Sequence, residues 1–281
     1  MKTKPMLASG LTLVLCAALA VLTARGQLRF LEDEGIGLPE VSAGWPLIYF
    51  FGAVAVMSLV LAFLPLRMVR LAAKGLFLAL FGWGVFVVLG LVLTPWPAGI
   101  IAASGAVAWL VWGRIWLHNL LLGIALAGYG AVFGILLSPG TAVLIMVALS
   151  IYDLISVRSG HMMWMVGKLT GVEVVPAFIY PVDRAGWRLG VNDINLDEKS
   201  DRDVSLLGGG DVGFSLIVMV AVLAEAGILA ALFMGGCLLL GLMAVYPVQK
   251  IFFKGGPTPA LPPLAVAAGI GWITLKLAGL I

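Results

Sequence analysis

Charge is what this chain has least of. Only 11% of its 281 residues are Asp, Glu, Lys or Arg and 62% are apolar, where an ordinary soluble domain carries about 25% charged residues. That composition cannot cover a water-facing surface, so an ordinary soluble protein is excluded. Cysteine and histidine are equally scarce, with two of each. Cys16 and Cys237 lie inside apolar runs, which excludes a disulfide framework and a thiolate metal site and leaves the redox compartment undetermined. His118 and His161 are isolated in the sequence, so neither a metal constellation nor any other cofactor is expected. His118, four residues from Arg114, reads as an interfacial side chain. No asparagine opens an Asn-x-Ser/Thr sequon. Net charge is +3 with scattered basic residues, so no nucleic-acid face is expected.

Long apolar sequence is what the chain does have. Residues 41–66, 75–113 and 115–152 carry no charge, and each run exceeds the roughly 20 apolar residues that cross a bilayer. Dividing the apolar sequence at its turn residues predicts nine helices, at about 7–24, 47–66, 75–94, 98–112, 117–137, 141–157, 207–224, 228–246 and 261–280. The breaks at Thr94-Pro95-Trp96-Pro97, Ser138-Pro139-Gly140 and Ala226-Gly227 cannot comfortably continue a helix. The expected fold is an all-α polytopic membrane protein. It forms a single membrane domain over residues 1–281, with no internal repeat. Lys2 and Lys4 ahead of the first run also fit a cleaved signal peptide with a poor cleavage site at Leu22-Thr23-Ala24. Either reading puts the amino terminus of that run inside.

Lysine and arginine collect on the cytoplasmic side of membrane proteins. With the amino terminus inside, 14 of the 17 basic residues fall on that side and Arg25, Arg29 and Lys276 on the other. The carboxyl terminus is then outside, and the long connection 158–206 is cytoplasmic. Its stretch 183–203 has 10 charged residues in 21 and must be solvated. Residues 161–166 read as a short interfacial helix and residues 172–180, rich in β-branched and aromatic side chains, as a short strand. Residues 204–207, largely apolar, read as a loop or as a segment that pairs with substrate backbone.

Carboxylates within bilayer spans are costly, so each needs an account. Glu225 sits beside Ala226-Gly227 and reads as a solvated helix end. Asp153 and Asp211 are embedded in their spans. Asp153 precedes Arg158 by five residues, about 8 Å of helix, and Asp211 follows Asp203 by eight, about 12 Å if all of that is helical. Two carboxylates at matched depth can face each other across a cavity and share a proton. That arrangement suits aspartyl proteolysis, in which one carboxylate takes a proton from water and its protonated partner polarises the peptide carbonyl. A proton-coupled transporter also places carboxylates inside the membrane, and position alone leaves both open.

Three flanking motifs separate the two. Tyr152-Asp153, the Gly-x-Gly-Asp of Gly208 to Asp211 and the Pro-Ala-Leu-Pro of Pro259 to Pro262 resemble the presenilin and signal peptide peptidase family, and stand in that family's order on expected spans six, seven and nine. The resemblance implies an intramembrane aspartyl endopeptidase of a microbial presenilin type. It implies Asp153 and Asp211 as the catalytic pair, and Pro259, Ala260 and Leu261 as residues that form the site and place substrate. Tyr152, Gly208 and Gly210 come with the motifs. Transmembrane proteins or peptides are the implied substrates and the bilayer the medium; oligomeric state is not implied. Gly209 departs from the larger apolar residue of better-known members, which bears on substrate preference. Prepilin peptidases share Gly-x-Gly-Asp but typically carry a lysine two residues after the aspartate, where Gly213 stands here.

Overall fold

The computed structural model describes residues 3–37, 65–159, 174–181, 183, 185–191, 204–252 and 258–281, with scattered positions between 45 and 63. Among the described residues there are seven helices: α1 (Thr3–Asp33), α2 (Leu66–Leu89), α3 (Pro95–Trp112), α4 (Ile115–Leu136), α5 (Pro139–Arg158), α6 (Gly209–Phe252) and α7 (Leu261–Leu277). Two strands, β1 (Ala177–Pro181) and β2 (Val204–Gly208), lie between α5 and α6. Six of the helices are long and apolar enough to cross a membrane, and α7 is a shorter apolar helix. The chain is an integral membrane protein.

The expected count of nine is thus not what the described residues show. Half of the positions of span 47–66 lie outside them. Spans 207–224 and 228–246 run together as the 44-residue α6. A straight helix of that length would be about 66 Å long, twice a bilayer core. It is not straight, because Gly227 takes φ 79° and ψ −174°, a conformation open in practice only to glycine. A Cβ at Gly235 would lie 3.0 Å from Met219 Cε, whereas 16 residues along one straight helix are about 24 Å apart. The halves 209–226 and 228–252 therefore fold back on each other, and Glu225 is exposed at the turn.

Local chemistry sets the other ends. Ser138 caps α5 by accepting from the Thr141 N–H at 3.3 Å, with Pro139 at the first helical position. Gly113 ends α3 in the left-handed region at φ 52°. α1 runs past its expected end at residue 24 to Asp33. Beyond the apolar run its side chains are mostly sound helix formers, with Arg29 and Asp33 at i,i+4 spacing. Ser9, Ala20, Thr23 and Ala24 are fully buried, so α1 is a wall of the bundle.

α4 is the central helix, with α1, α2 and α6 around it. Its Gly130 and Gly134 lie so close to Leu216 and Val220 of α6 that an added Cβ would come within 2.6 and 2.5 Å of their Cβ atoms. In lipid, where apolar side chains gain little by leaving the solvent, such close backbone approach is the main source of helix attraction. α5 packs on α6 and α7.

The two strands are an addition to the all-α expectation. β1 and β2 pair antiparallel, from Ala177 opposite Gly208 to Pro181 opposite Val204. β1 falls at the end of the expected strand, and the segment expected as a loop or substrate-pairing strand is paired with it. A small second core of Ile115, Ile179 and Val191 fixes this sheet to the α3–α4 turn. Backbone bonds from Ile115 N to Leu189 O (3.1 Å) and from Val191 N to Gly113 O (2.8 Å) complete the join. The expected interfacial helix 161–166 lies outside the described residues.

Candidate active site

Asp153 stands on α5, one and a half turns before its end, and is half-buried. Its Oδ2 accepts from the Leu261 N–H at 3.3 Å, with the Ala260 backbone also hydrogen-bonding to the carboxylate. The local reason is the start of α7. Leu261 is its first residue and the next two are Pro262 and Pro263, which have no N–H to offer. The unsatisfied donors at this helix end are concentrated where Asp153 lies, and the positive end of the helix dipole favours its negative charge.

Asp211 reaches the same place from the other side. It sits in the first turn of α6 and is also half-buried. Of the eight residues after Asp203 only the last three are helical, since residues 204–208 form β2 and the helix begins at Gly209, so the expected depth of about 12 Å does not apply. The Gly208 backbone hydrogen-bonds to the carboxylate. A Cβ at Gly208 would lie 2.6 Å from Asp211 Oδ2, so a side chain there would displace the acid. Asp153 and Asp211 are near enough to act on each other electrostatically. Ser215, almost fully buried, donates to the Asp211 main-chain carbonyl at 2.6 Å and closes the first turn.

The structure thus brings together Asp153, Asp211, Gly208, Ala260 and Leu261. Pro259 is buried just before them. Gly210 is exposed, and a Cβ there would meet only Phe214, at 4.0 Å. Tyr152 is half-buried beside Asp153. Gly209 does not face the carboxylates. Its N–H donates to Pro176 O at 2.9 Å, and an added Cβ would lie 3.1 Å from that oxygen. Glycine at this position lets β1 approach the head of α6.

His118 is not the interfacial side chain expected from Arg114. It is fully buried, between the Trp109 indole N–H, 3.2 Å from Nδ1, and Ala177 O, 3.1 Å from Nε2. The neighbouring Asn119 bonds Ile179 twice, by Nδ2 to its carbonyl at 2.7 Å and by Oδ1 to its N–H at 3.0 Å. Tyr180, whose phenol burial holds above its ordinary range, donates to Thr12 Oγ1 of α1 at 2.8 Å. Sequence reasoning missed these anchors of β1. The available signal was a pair of polar residues, His-Asn, in the first turn of an otherwise apolar helix.

A family model described as signal-peptide peptidase, presenilin aspartyl protease, matches residues 55–281. Two solved structures of a presenilin family intramembrane aspartate protease, in C222 and P2 space groups, share the fold. They superpose with TM-scores of 0.63 and 0.62 at 21% identity, over 98% of this chain and 99% and 98% of theirs. No curated protein matches significantly.

Proposed function

This chain belongs to the signal-peptide peptidase and presenilin family of aspartyl proteases, and from that premise we propose that it hydrolyses peptide bonds within or near transmembrane helices, with Asp153 and Asp211 as its acid and base. The observation that carries the reading is the convergence of two carboxylates from α5 and α6, each held by a backbone donor. In this mechanism the two carboxylates share one proton between them.

The ionised carboxylate removes a proton from water as the oxygen attacks the peptide carbon, while the protonated partner donates to the carbonyl oxygen. The tetrahedral adduct collapses when a proton passes to the amide nitrogen and the C–N bond breaks. A carboxylic acid and an amine leave, and the pair keeps its single proton. A helical substrate must first unwind, because its carbonyls are otherwise locked in internal hydrogen bonds.

The sheet offers a place for the unwound segment. Ile179 turns both its N–H and its carbonyl to Asn119, away from β2. In an antiparallel ladder its partner Leu206 then turns both of its own groups away from β1. Substrate pairs there as a third strand, which replaces hydrogen bonds lost on unwinding. The placement of 14 of 17 basic residues on one side in the nine-span reading supports a multi-pass protein with a cytoplasmic amino terminus and water entry from that side, and we place it in the plasma membrane.

The test is incubation of the purified chain with a single-span membrane substrate, beside its Asp153→Ala form. Cleavage by the first alone is expected. Equal cleavage by both, or ion flux in liposomes without proteolysis, overturns the reading.

A further inference from the structure

β1 has two edges, and the one away from β2 is taken by side chains of α4. The Asn119 carboxamide makes to Ile179 both bonds that a neighbouring strand would make. His118 meets Ala177, two residues earlier on the same edge, at 3.1 Å. Since Nδ1 accepts the Trp109 indole N–H, Nε2 carries the imidazole proton and donates to the Ala177 carbonyl. The ring is held by Phe77, stacked at 6.2 Å, and by the edge contact of Phe81 at 5.8 Å. His118 and Ile179 are both 0% exposed, so water cannot replace either partner.

We propose that His118 and Asn119 are positioning residues for the hydrolysis: together they imitate a strand edge that fixes β1, and through it the register of β2 and the place of Asp211. The proposal rests on the protease reading. A two-stranded pair of five-residue strands is marginal alone. A slip of two residues would keep every side chain on its face yet carry Gly208 about 7 Å along the strand. Asn119 and His118 hold β1 fixed because they grip alternate residues of its outer edge from a rigid helix, and the ladder and the Gly209 N–H bond to Pro176 O tie β2 to that fixed strand. The path to the acid is short: Gly208 ends the ladder opposite Ala177, the Gly209 N–H is bound to Pro176 O at 2.9 Å, and Asp211 lies in the turn that follows. The same grip closes β1 to strand addition and leaves the Leu206 edge for substrate.

The experiment compares wild type, Asn119→Ala, His118→Leu and His118→Gln in the full chain, reconstituted in detergent or liposomes. The glutamine variant keeps a donor near the position of Nε2. Two quantities are read: amide hydrogen exchange of 177–181 and 204–208, and kcat, KM and product ends with a single-span substrate. Asn119→Ala and His118→Leu should speed exchange in both strands while the helices stay protected. They should lower kcat on the order of 10- to 100-fold with KM nearly unchanged, and spread the product ends over neighbouring bonds. His118→Gln should stay nearer wild type in all of these. A merely stabilising pair would lower thermal stability yet leave kcat and product ends as in wild type below the transition, and that result overturns the proposal. Unchanged exchange in the strands overturns it too. Failure of the wild type to cleave would sink the protease reading, and exchange would still decide whether α4 holds the sheet. Should Asn119→Ala fail to fold, Asn119→Ser, which is too short to make both bonds to Ile179 yet stays uncharged, takes its place under the same criteria.

Discussion

Proline placed in turn at Leu206 and at Ser205 should have different consequences, because adjacent strand residues direct their N–H groups to opposite edges. Leu206 lies opposite Ile179, whose backbone groups are turned to Asn119, so the Leu206 N–H points outward. Ser205 lies opposite Tyr180 and points into the ladder. Leu206 is 47% exposed, so Leu206→Pro removes one outward donor and little packing. A hydrogen bond to substrate is worth about 1 kcal/mol net, and about 1–3 kcal/mol when its loss leaves a buried carbonyl unpaired. At 1.4 kcal/mol per factor of ten, kcat/KM should fall roughly 5- to 150-fold. Binding of a small aspartyl-protease inhibitor at the two carboxylates should be unchanged. Ser205→Pro removes a ladder bond from a pair only five residues long and should loosen Asp211 itself, so cleavage and inhibitor binding both fall. The assay is cleavage of a single-span substrate in liposomes, with inhibitor affinity measured on the same preparations. Cleavage at wild-type rate by Leu206→Pro would refute substrate pairing on this edge. Identical losses of cleavage and inhibitor binding in both variants would refute the register argument.

Asp153→Asn and Asp211→Asn should each abolish cleavage in folded protein, since each carboxyl has its own proton to move; cleavage within tenfold of wild type by either would remove that residue from the mechanism. The rate should be bell-shaped in pH: it rises as the pair loses its first proton and gains a base, and falls as it loses the second and the acid, with both apparent constants belonging to the pair. A flat profile in folded protein counts against a coupled dyad. Gly227→Val forces a β-branched residue to φ 79° and should cost about 1–3 kcal/mol; thermal unfolding that matches wild type would mean that the turn relaxes. Gly209→Leu puts a side chain against Pro176 O and Leu126, so it should speed amide exchange in β1 and slow cleavage. Unaltered exchange would show that β1 tolerates the displacement.

Membrane class, the break at Ala226-Gly227 and the two acids were legible from sequence because each has a local cause. A bilayer demands long uncharged runs, glycine and proline interrupt helices wherever they fall, and a carboxylate in an apolar run is conspicuous. The motifs at Tyr152, at Gly208 to Asp211 and at Pro259 to Pro262 carried the family resemblance for the same reason, being short and contiguous.

What only the tertiary structure decided depends on contacts between distant segments. Nothing local marks residues 204–208 as the partner of 177–181; the ladder joins segments distant in sequence, and side chains of α4, some 60 residues earlier, meet the outer edge of β1. His118 next to Arg114 looks interfacial until Trp109, Phe77 and Ala177 close around it. Gly209 reads as a variable position beside the acid, and only the approach of Pro176 shows what its missing side chain makes room for. A sequence states which groups must be kept from lipid and which helices must break. Which buried donor meets which acceptor is settled only when the packed helices leave each polar group a single partner within reach.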